Sequence, residues 1–503
     1  MSNRKNNVCI TVCLLAIAHA TPARAQGGER VTSLQDAMRA LFAESPTFHV
    51  YEAEARQAAA EHLRASGAFD IVANAAVQGQ RSLWSAPYGG LTTTGYDDLS
   101  AQVGLATRTP ENVTADITAS MPLTSSIDAS ISPDQPIVTS HLSIPLLKFG
   151  TSASFGAEER ATELHATASA ALQQDRESQL VMTAASDYWR WVASRDQVKL
   201  ARQLEELAND QLRDVDTLIE QRARAPIDRL PFLAASESAA ASRAQAERTM
   251  FDQQQVLWAT LGLRRPTTHD APEAALPEVP ATPAMAPVMA TRAKRLAAGR
   301  PLFAYLEEET AAATVRFDAA RIGERPDLGI VAQGSASRVG LYGDSSAMPT
   351  QMAVGYYGGV SLVFSMPLQN RTARGQLGVA TEVRAERALE ATSRLNVVEG
   401  TIDALSSDLA TLAETYQQRA RATEAYRAAY EAERTRYHMG SATAMDVIVA
   451  EQQLMASSVA VLADRASYAI ALARMLHEAG VLNAAVHSRN APAVAQRLTI
   501  SAL

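Results

Sequence analysis

The sequence is almost free of cysteine, because Cys9 and Cys13 are the only two in 503 residues. Both fall in a segment that we expect to be removed, so a disulfide scaffold and a thiolate zinc site are excluded from the mature chain. Aromatic residues are also scarce, at 5%, and the formal net charge is -8. An acidic chain of this kind lacks the basic surface that binds phosphates, so we expect no nucleic-acid partner.

The first 25 residues have the three parts of a secretory signal peptide. Arg4 and Lys5 form the positive n-region, the run from Val8 to Ala18 is apolar, and Ala23-Arg24-Ala25 is a cleavage site. A transmembrane helix needs roughly 20 nearly uninterrupted apolar residues, and no later segment approaches this pattern. Any membrane crossing by the mature chain is therefore predicted to use a closed sheet.

The mature sequence repeats one order of elements on either side of a proline-rich segment. Each half has a short alanine-rich helix, an alternating stretch, a Pro-Leu boundary, a very long helix, a turn and a returning helix. Pro145-Leu146 and Pro367-Leu368 mark the two boundaries, and Asp228 and Asp446 follow the two turns. This repetition indicates a duplicated unit. The segment between the halves is predicted to be a linker or an extended surface strap without a helix, because its prolines break helices.

The predicted boundaries follow from this repetition. A signal peptide at 1–25 precedes a first structural repeat at 26–265, which has strands at about 69–149, a long helix at about 151–222 and a return helix at about 227–262. A Pro-rich linker at 266–298 separates it from a second repeat at 299–480, which has strands at about 327–366, a long helix at about 375–437 and a return helix at about 441–480. A C-terminal tail follows at 481–503.

The long helices are unusual for a globular protein. At 1.5 Å per residue they would reach roughly 108 and 95 Å, and no compact core can bury such a rod from end to end. A short helix at about 34–66 and the first return helix together have nearly the length of the first long helix. We therefore expect the two shorter helices to stack end to end along the longer one, in a wall of rods.

Alternating stretches supply the strands. Apolar and polar residues alternate from Val113 to Met121, and five further stretches of about 8–10 residues show the same period of two. An ordinary half-buried antiparallel sheet has this alternation as well. The signal peptide and the lack of another membrane element favour tilted barrel strands, which have this length.

The stretch from Arg436 to Glu451 resembles the second hairpin tip of the TolC family of outer membrane efflux and secretion channels. It has an Arg-Tyr-x-x-Gly turn, an Asp-Val pair six residues after the glycine, and an alanine-rich helix. With the duplicated layout and the Pro-Leu boundaries, the resemblance covers nearly all of the mature chain. It implies a mainly α fold with a β-barrel part, in which a duplicated strand-and-long-helix unit forms a trimeric α-helical barrel tunnel joined to a shared transmembrane β-barrel, with four strands from each subunit.

The resemblance also implies a function. It is that of an outer membrane channel of a tripartite export system, which passes small molecules such as drugs, toxic compounds or metal ions from an inner-membrane pump across the periplasm and outer membrane of a Gram-negative-type bacterium. The implied partners are two further copies of the chain in a homotrimer, a periplasmic membrane fusion (adaptor) protein, the pump and outer membrane lipid. No enzyme activity, cofactor, catalytic residue or metal site is expected. Type I protein secretion is the alternative within the channel class, and a periplasmic coiled-coil structural spacer is the alternative from another class.

The sequence departs from the family pattern at three places. The first alternating region, 69–149, has 81 residues against 38 for 327–364, so an added hairpin could widen the barrel or lie outside it. Arg222 stands where a glycine matching Gly440 would be, so we expect a first turn of different shape. Val449 occupies a position where some relatives carry a second acidic gate residue.

Three residues are candidates for the pore and gate. Asp446 matches an aspartate that forms a ring at the closed periplasmic end in relatives, although a capping box with Thr443 would equally explain an acid there. Asp228 and Tyr437 match positions whose hydrogen bonds hold the helix tips together. Their simpler explanations are a first-turn acid and a packed aromatic. Arg222, Arg224 and Arg229 crowd the first turn, either as a solvated cluster or with one of them paired to Asp228 or Asp446.

The segment between Tyr88 and Asp98 is predicted to be an extracellular loop, because Pro-Tyr-Gly-Gly and Thr-Thr-Thr-Gly suit an exposed turn. An epitope tag inserted after Gly90 should therefore bind antibody on intact cells. Labelling that requires permeabilisation of the outer membrane would reverse this topology.

Overall fold

The computed structural model describes residues 31–85, 93–124, 136–150, 154–264, 271–281, 286–341 and 351–499. The predicted signal peptide and Gly90 lie outside the described residues. The loop predicted between Tyr88 and Asp98 is too long, because residues 93–98 already belong to a strand that pairs with residues 80–85. The described chain is mainly helical and carries one sheet.

The elements follow one another in two helix–sheet–helix series. The helices are α1 (Leu34–Glu44), α2 (Pro46–Ser66), α3 (Ser154–Glu220), α4 (Arg229–Leu261), α5 (Ala286–Ala297), α6 (Pro301–Gly323), α7 (Arg371–His438), α8 (Ala444–Glu478), α9 (Asn483–His487) and α10 (Ala491–Thr499). The strands are β1 (Val72–Ser85), β2 (Thr93–Arg108), β3 (Thr114–Thr124), β4 (Ile137–Pro145), β5 (Asp327–Leu341) and β6 (Gln351–Ser365).

The short helix predicted at about 34–66 is divided in two at Ser45. Pro46 opens α2, because its missing N–H and its ring prevent a continuous helix but suit a first helical position. The end of α4 meets this junction. Gly262 has a left-handed φ of 75°, and a Cβ atom there would lie 2.3 Å from Cδ of Pro46. Only glycine fits such a close approach, which places α4 end to end with α2 along α3.

The proline-rich segment is partly a strap and partly a helix. Residues 271–281 are extended, and Arg195 and Arg465 hold them by donating to backbone carbonyls of this stretch. The expectation that no helix forms in 266–298 is wrong for its last part, which is α5. Pro287 lies in the first turn of that helix, where its missing N–H leaves no hydrogen bond unmade. Ala290 and Ala293 are buried against the body and stabilise the helix.

The C-terminal tail also folds onto the body. Helices α9 and α10 bury Val486, Val494 and Leu498 in the main hydrophobic cluster, together with residues of α1, α3 and α8. Tyr188, Trp189 and Trp191 lie at the centre of that cluster, and Trp191 meets Trp258 edge to face at 5.4 Å. The two tryptophans at 189 and 191 therefore pack in the core.

The six strands form one antiparallel sheet in the order β1-β2-β3-β4-β5-β6. The resemblance implied four strands from each subunit, and that number is wrong for the described chain. The added hairpin in the first half lies in the same sheet as the other strands, because β2 and β3 each have two hydrogen-bonded neighbours.

The two faces of the sheet differ in polarity. Directly paired residues of an antiparallel sheet share a face. One such row contains Ala75, Val103, Ala119, Val138, Ala336 and Tyr356. The adjacent row, on the other face, contains Asn74, Gly104, Thr118, Thr139, Ser335 and Tyr357. The first face is predominantly apolar and the second carries most of the polar side chains.

One helix in the described part of the chain, α8, is long and apolar enough by length and composition to cross a membrane. The sequence expectation that no such segment follows Ala25 did not anticipate this. Buried residues of α8 nevertheless pack against α3 and α7, and Asp446, Glu451 and Asp464 lie along it. A core helix has these properties, so we assign α8 to the helical body.

A buried ionic network connects α3, α6 and α8. Arg300, 6% exposed, donates from Nε to Asp175 Oδ1 at 2.6 Å and also pairs with Glu478. Its Nη2 donates to His477 Nε2 at 2.9 Å, and Ser178 Oγ lies 3.0 Å from Nδ1 of the same ring. Burial and the neighbouring Arg300 charge lower the pKa of His477 to about 4. The stability that depends on the neutral ring is therefore complete above pH 6.5 and is lost as the pH falls towards 4.

Arg300→Met should lower the free energy of unfolding by about 3–5 kcal/mol, because it leaves Asp175 and Glu478 without their buried partner. Lys294→Met is the matched control, since Lys294 pairs with Asp403 at 2.7 Å on the surface and should contribute about 0–1 kcal/mol. Denaturant unfolding followed by circular dichroism measures both. Equal effects of the two variants would contradict the structural importance of the buried network.

Candidate functional site at the helix tips

Two turns lie at the end of the helical body remote from the sheet, one joining α3 to α4 and the other joining α7 to α8. Arg222 has a left-handed φ of 61° and Gly440 one of 79°. Each turn closes with the same pair of backbone hydrogen bonds, from Arg222 to Ile219 and Ala223 to Leu218 in one, and from Gly440 to Tyr437 and Ser441 to Arg436 in the other. The expectation of a differently shaped first turn is wrong, since Arg222 adopts the conformation that glycine adopts more easily.

Tyr437 joins the two hairpins through its ring. It is 4% exposed, and it meets Phe232 of α4 edge to face at 5.4 Å. Burial raises the pKa of Tyr437, the Arg224 charge opposes this, and the nearby charge of Asp228 adds to it. The structure thus brings Asp228 and Tyr437 close together. The Tyr437 hydroxyl accepts and donates no hydrogen bond among the described residues, so packing and not a Tyr–Asp hydrogen bond makes this contact.

Arg224 forms the polar connection between the turns. Its guanidinium carbon lies 4.2 Å from the centre of the Tyr437 ring, and Nη2 donates to the carbonyls of Tyr437 and, at 3.2 Å, Ala442. A cation at these carbonyls also suits the C-terminus of α7. Arg229 pairs with Asp216 at 2.8 Å. Neither arginine pairs with Asp228 or Asp446, and no sequence pattern distinguished Arg224 from its neighbours.

Asp446 forms a capping box at the start of α8. Thr443 donates to Asp446 Oδ2 from its backbone N and from Oγ1, both at 2.8 Å, and Asp446 N donates to Thr443 Oγ1 at 3.3 Å. The backbone hydrogen bond from Thr443 is the main cause that lowers the pKa of Asp446. The side chain is exposed. The capping box is therefore present, and its hydrogen bonds favour the charged form of a carboxylate at the surface of the tip.

Asp228 has a different environment. It is half-buried, stands at the start of α4, and makes no side-chain hydrogen bond to the first turn of that helix. The site thus contains one carboxylate that is fixed by its own helix and one that lies beside the buried Tyr437.

Solved structures of outer membrane channels share this fold. No family model and no curated protein matches the chain. The outer membrane channel OprN aligns with a TM-score of 0.67 at 16% identity, over 89% of each chain. The CmeC outer membrane channel of Campylobacter jejuni aligns with a TM-score of 0.64 at 14% identity, over 89% of this chain and 85% of that one. The outer membrane protein VceC of Vibrio cholerae aligns with a TM-score of 0.65 at 17% identity, over 89% of this chain and 96% of that one.

The chain therefore has the fold of the outer membrane channels, and the resemblance to the TolC family is confirmed at the level of the fold. The predicted combination of a mainly helical chain with a strand sheet is confirmed as well. The trimer and the closed barrel remain predictions.

Asp446→Ala should weaken cation preference and block by multivalent cations in a planar bilayer. Three symmetry-related carboxylates around one axis would attract cations, and the substitution removes them. Expression and trimer yield should change little, because a lost cap costs about 1 kcal/mol.

Thr443→Ala is the control for this experiment, since it removes the capping hydroxyl and keeps the carboxylate. We expect it to retain cation preference. Unaltered selectivity in Asp446→Ala would reduce the residue to a cap and direct the search for the gate to Asp228.

Proposed function

We propose that this protein is an outer membrane channel of a tripartite export system. The observation that carries the proposal is the sheet, which is apolar on one face, polar on the other, and joined to helices of 67 and 68 residues. An apolar face suits lipid and a polar face suits a water-filled interior, as in membrane barrels. The channel passes its substrate and does no chemistry on it.

Closure of the sheet would require further copies of the chain. Strands β1 and β6 are the two edges, and each has one hydrogen-bonded neighbour among the described strands. An edge of 14 or 15 residues with unpaired backbone groups is not tolerated in lipid. In a six-stranded antiparallel meander the two edges run in opposite directions, so β6 of one copy can pair with β1 of the next. The family resemblance favours three copies, which would supply an even number of strands within the range of outer membrane barrels.

The helices give the channel its reach. At 1.5 Å per residue, α3 and α7 extend about 100 Å, several times the thickness of a bilayer core, so they would project far into the periplasm from a barrel in the outer membrane. The first part of α7 exposes Val379, Leu389 and Val397, which are 66%, 71% and 57% accessible in one subunit. Neighbouring subunits would cover this surface in a closed helical tunnel.

The partners are expected at the tips. Ile227, Leu230, Met439 and Met445 are apolar and exposed around the two turns, a composition that suits docking of a periplasmic adaptor protein. An inner-membrane pump would complete the system. We propose drugs, toxic compounds or metal ions as substrates, with protein secretion as the alternative. Neighbouring genes for a proton-driven pump or for an ABC exporter would decide between the two.

The periplasmic spacer is the weaker candidate, because a spacer has no need of a sheet that is apolar across six strands. After signal cleavage, the channel proposal predicts that the protein fractionates with the outer membrane as a detergent-resistant trimer, because its sheet edges require partners. Membrane fractionation and native mass measurement test this. A soluble periplasmic monomer would contradict the proposal and favour the spacer.

A further inference from the structure

A buried polar group lies behind the tips, where α3, α7 and α8 meet. It consists of Gln211, Tyr430 and Glu451, which are 4%, 5% and 8% exposed. Gln211 Nε2 donates to the Tyr430 hydroxyl at 2.7 Å. The adjoining hydrophobic cluster includes Val215 and Leu454, so the three polar side chains are enclosed largely by apolar neighbours.

Two acceptor oxygens in this group are buried and accept no hydrogen bond from any described residue. They are Oε1 of Gln211 and Oε2 of Glu451. A buried ionised carboxylate is strongly unfavourable when one of its oxygens accepts no hydrogen bond. A protonated carboxyl is different, because it loses the charge and gains one O–H donor for a neighbouring oxygen. The geometry therefore favours the protonated form of Glu451.

The charged groups around the site do not compensate the carboxylate. Arg434 of α7 lies near Tyr430, but it pairs with Asp214 of α3 at 2.9 Å and also interacts with the charge of Asp210. Helix α4 contributes the apolar Phe232 to the adjoining cluster. Burial is the main cause that raises the pKa of Glu451, and the hydrogen bond from Gln211 offsets it only in part.

We propose that Gln211, Tyr430 and Glu451 form a proton-binding site that couples pH to the packing of α8 on α3 and α7. With the proton bound, all three helices pack closely. As the pH rises through the raised pKa of Glu451, the buried anion weakens the contact, so the stabilisation is complete at low pH and is lost at higher pH. Because α8 begins at the tip, a loosened α8 would make separation of the hairpins easier. Only this last consequence rests on the proposed channel function.

Hydrogen exchange of the full-length protein in detergent tests the site directly. Peptides from 444–461 would be followed at pH 5 and pH 8, after correction for intrinsic exchange rates. At pH 8 Glu451→Gln should exchange several-fold more slowly than the wild type, because the amide places no charge in the buried site. At pH 5 the two proteins should exchange alike. Glu431→Gln, on the exposed surface of α7, is the matched control and should follow the wild type at both pH values.

A second variant protects the test against a simple folding defect. Gln211→Leu removes the hydrogen bond that favours the anion, so it should widen the difference in exchange between pH 5 and pH 8. A pH-independent ratio between Glu451→Gln and wild type, or faster exchange of Glu451→Gln at pH 8, would overturn the proton site. Failure to conduct in a bilayer would overturn the channel function alone, since the exchange result does not depend on conduction.

Discussion

Helix α3 is the element on which the rest of the structure depends. A helix of 67 residues cannot be buried in a compact core, so it is stable only where other elements cover it along its length. Helices α1, α2, α4, α6, α8 and α9 all contact it. The end-to-end arrangement of α2 and α4, with Gly262 pressed against Pro46, provides this cover with two shorter pieces. The strap at 271–281 and α5 pack on this helical body, and α3 determines the length of the body.

The sheet, like helix α3, is stable only where its surfaces meet suitable surroundings. The backbone groups of the interior strands form hydrogen bonds with neighbouring strands. The polarity of the side chains then determines whether each face can contact lipid or water. Rows such as Val103–Ala119–Val138 on one face and Gly104–Thr118–Thr139 on the other keep this difference over the width of the sheet. A one-residue shift of any strand would exchange the two faces, so the register is strongly specified.

Much of this architecture could be predicted from sequence because periodicity reports local backbone geometry. The alternation from Val113 to Met121 predicted a strand, and β3 covers most of that stretch. The number of strands in the sheet was left open, since alternation does not reveal which strands pair. Helix α5 was missed because six prolines suggested an extended segment, whereas Pro287 occupies a first turn and tertiary contacts to Ala290 and Ala293 stabilise the rest.

The structure of the tips could be predicted only in part, because some of their contacts join residues that are distant in sequence. The Thr443–Asp446 capping box is local in sequence, and the residues alone predicted it. Arg224 binds the carbonyls of Tyr437 and Ala442, more than 200 residues away, and one arginine among several near a turn carries no sign of such a contact. Similarly, the left-handed conformation of Arg222 follows from the hydrogen bonds that close the turn, which override the preference for glycine.

Two buried polar groups in the helical body differ in how completely their side chains are paired. In the Arg300 network the guanidinium has carboxylate partners in Asp175 and Glu478 and a neutral partner in His477, so separation of α3, α6 and α8 there would expose unpaired charge. The group at Gln211 and Glu451 leaves acceptors unmatched, so separation of the helices there would relieve an unfavourable burial. Separation of the helices therefore costs more at the paired network than at the unmatched group. In the proposed channel, this distribution would keep the body anchored while the tips separate.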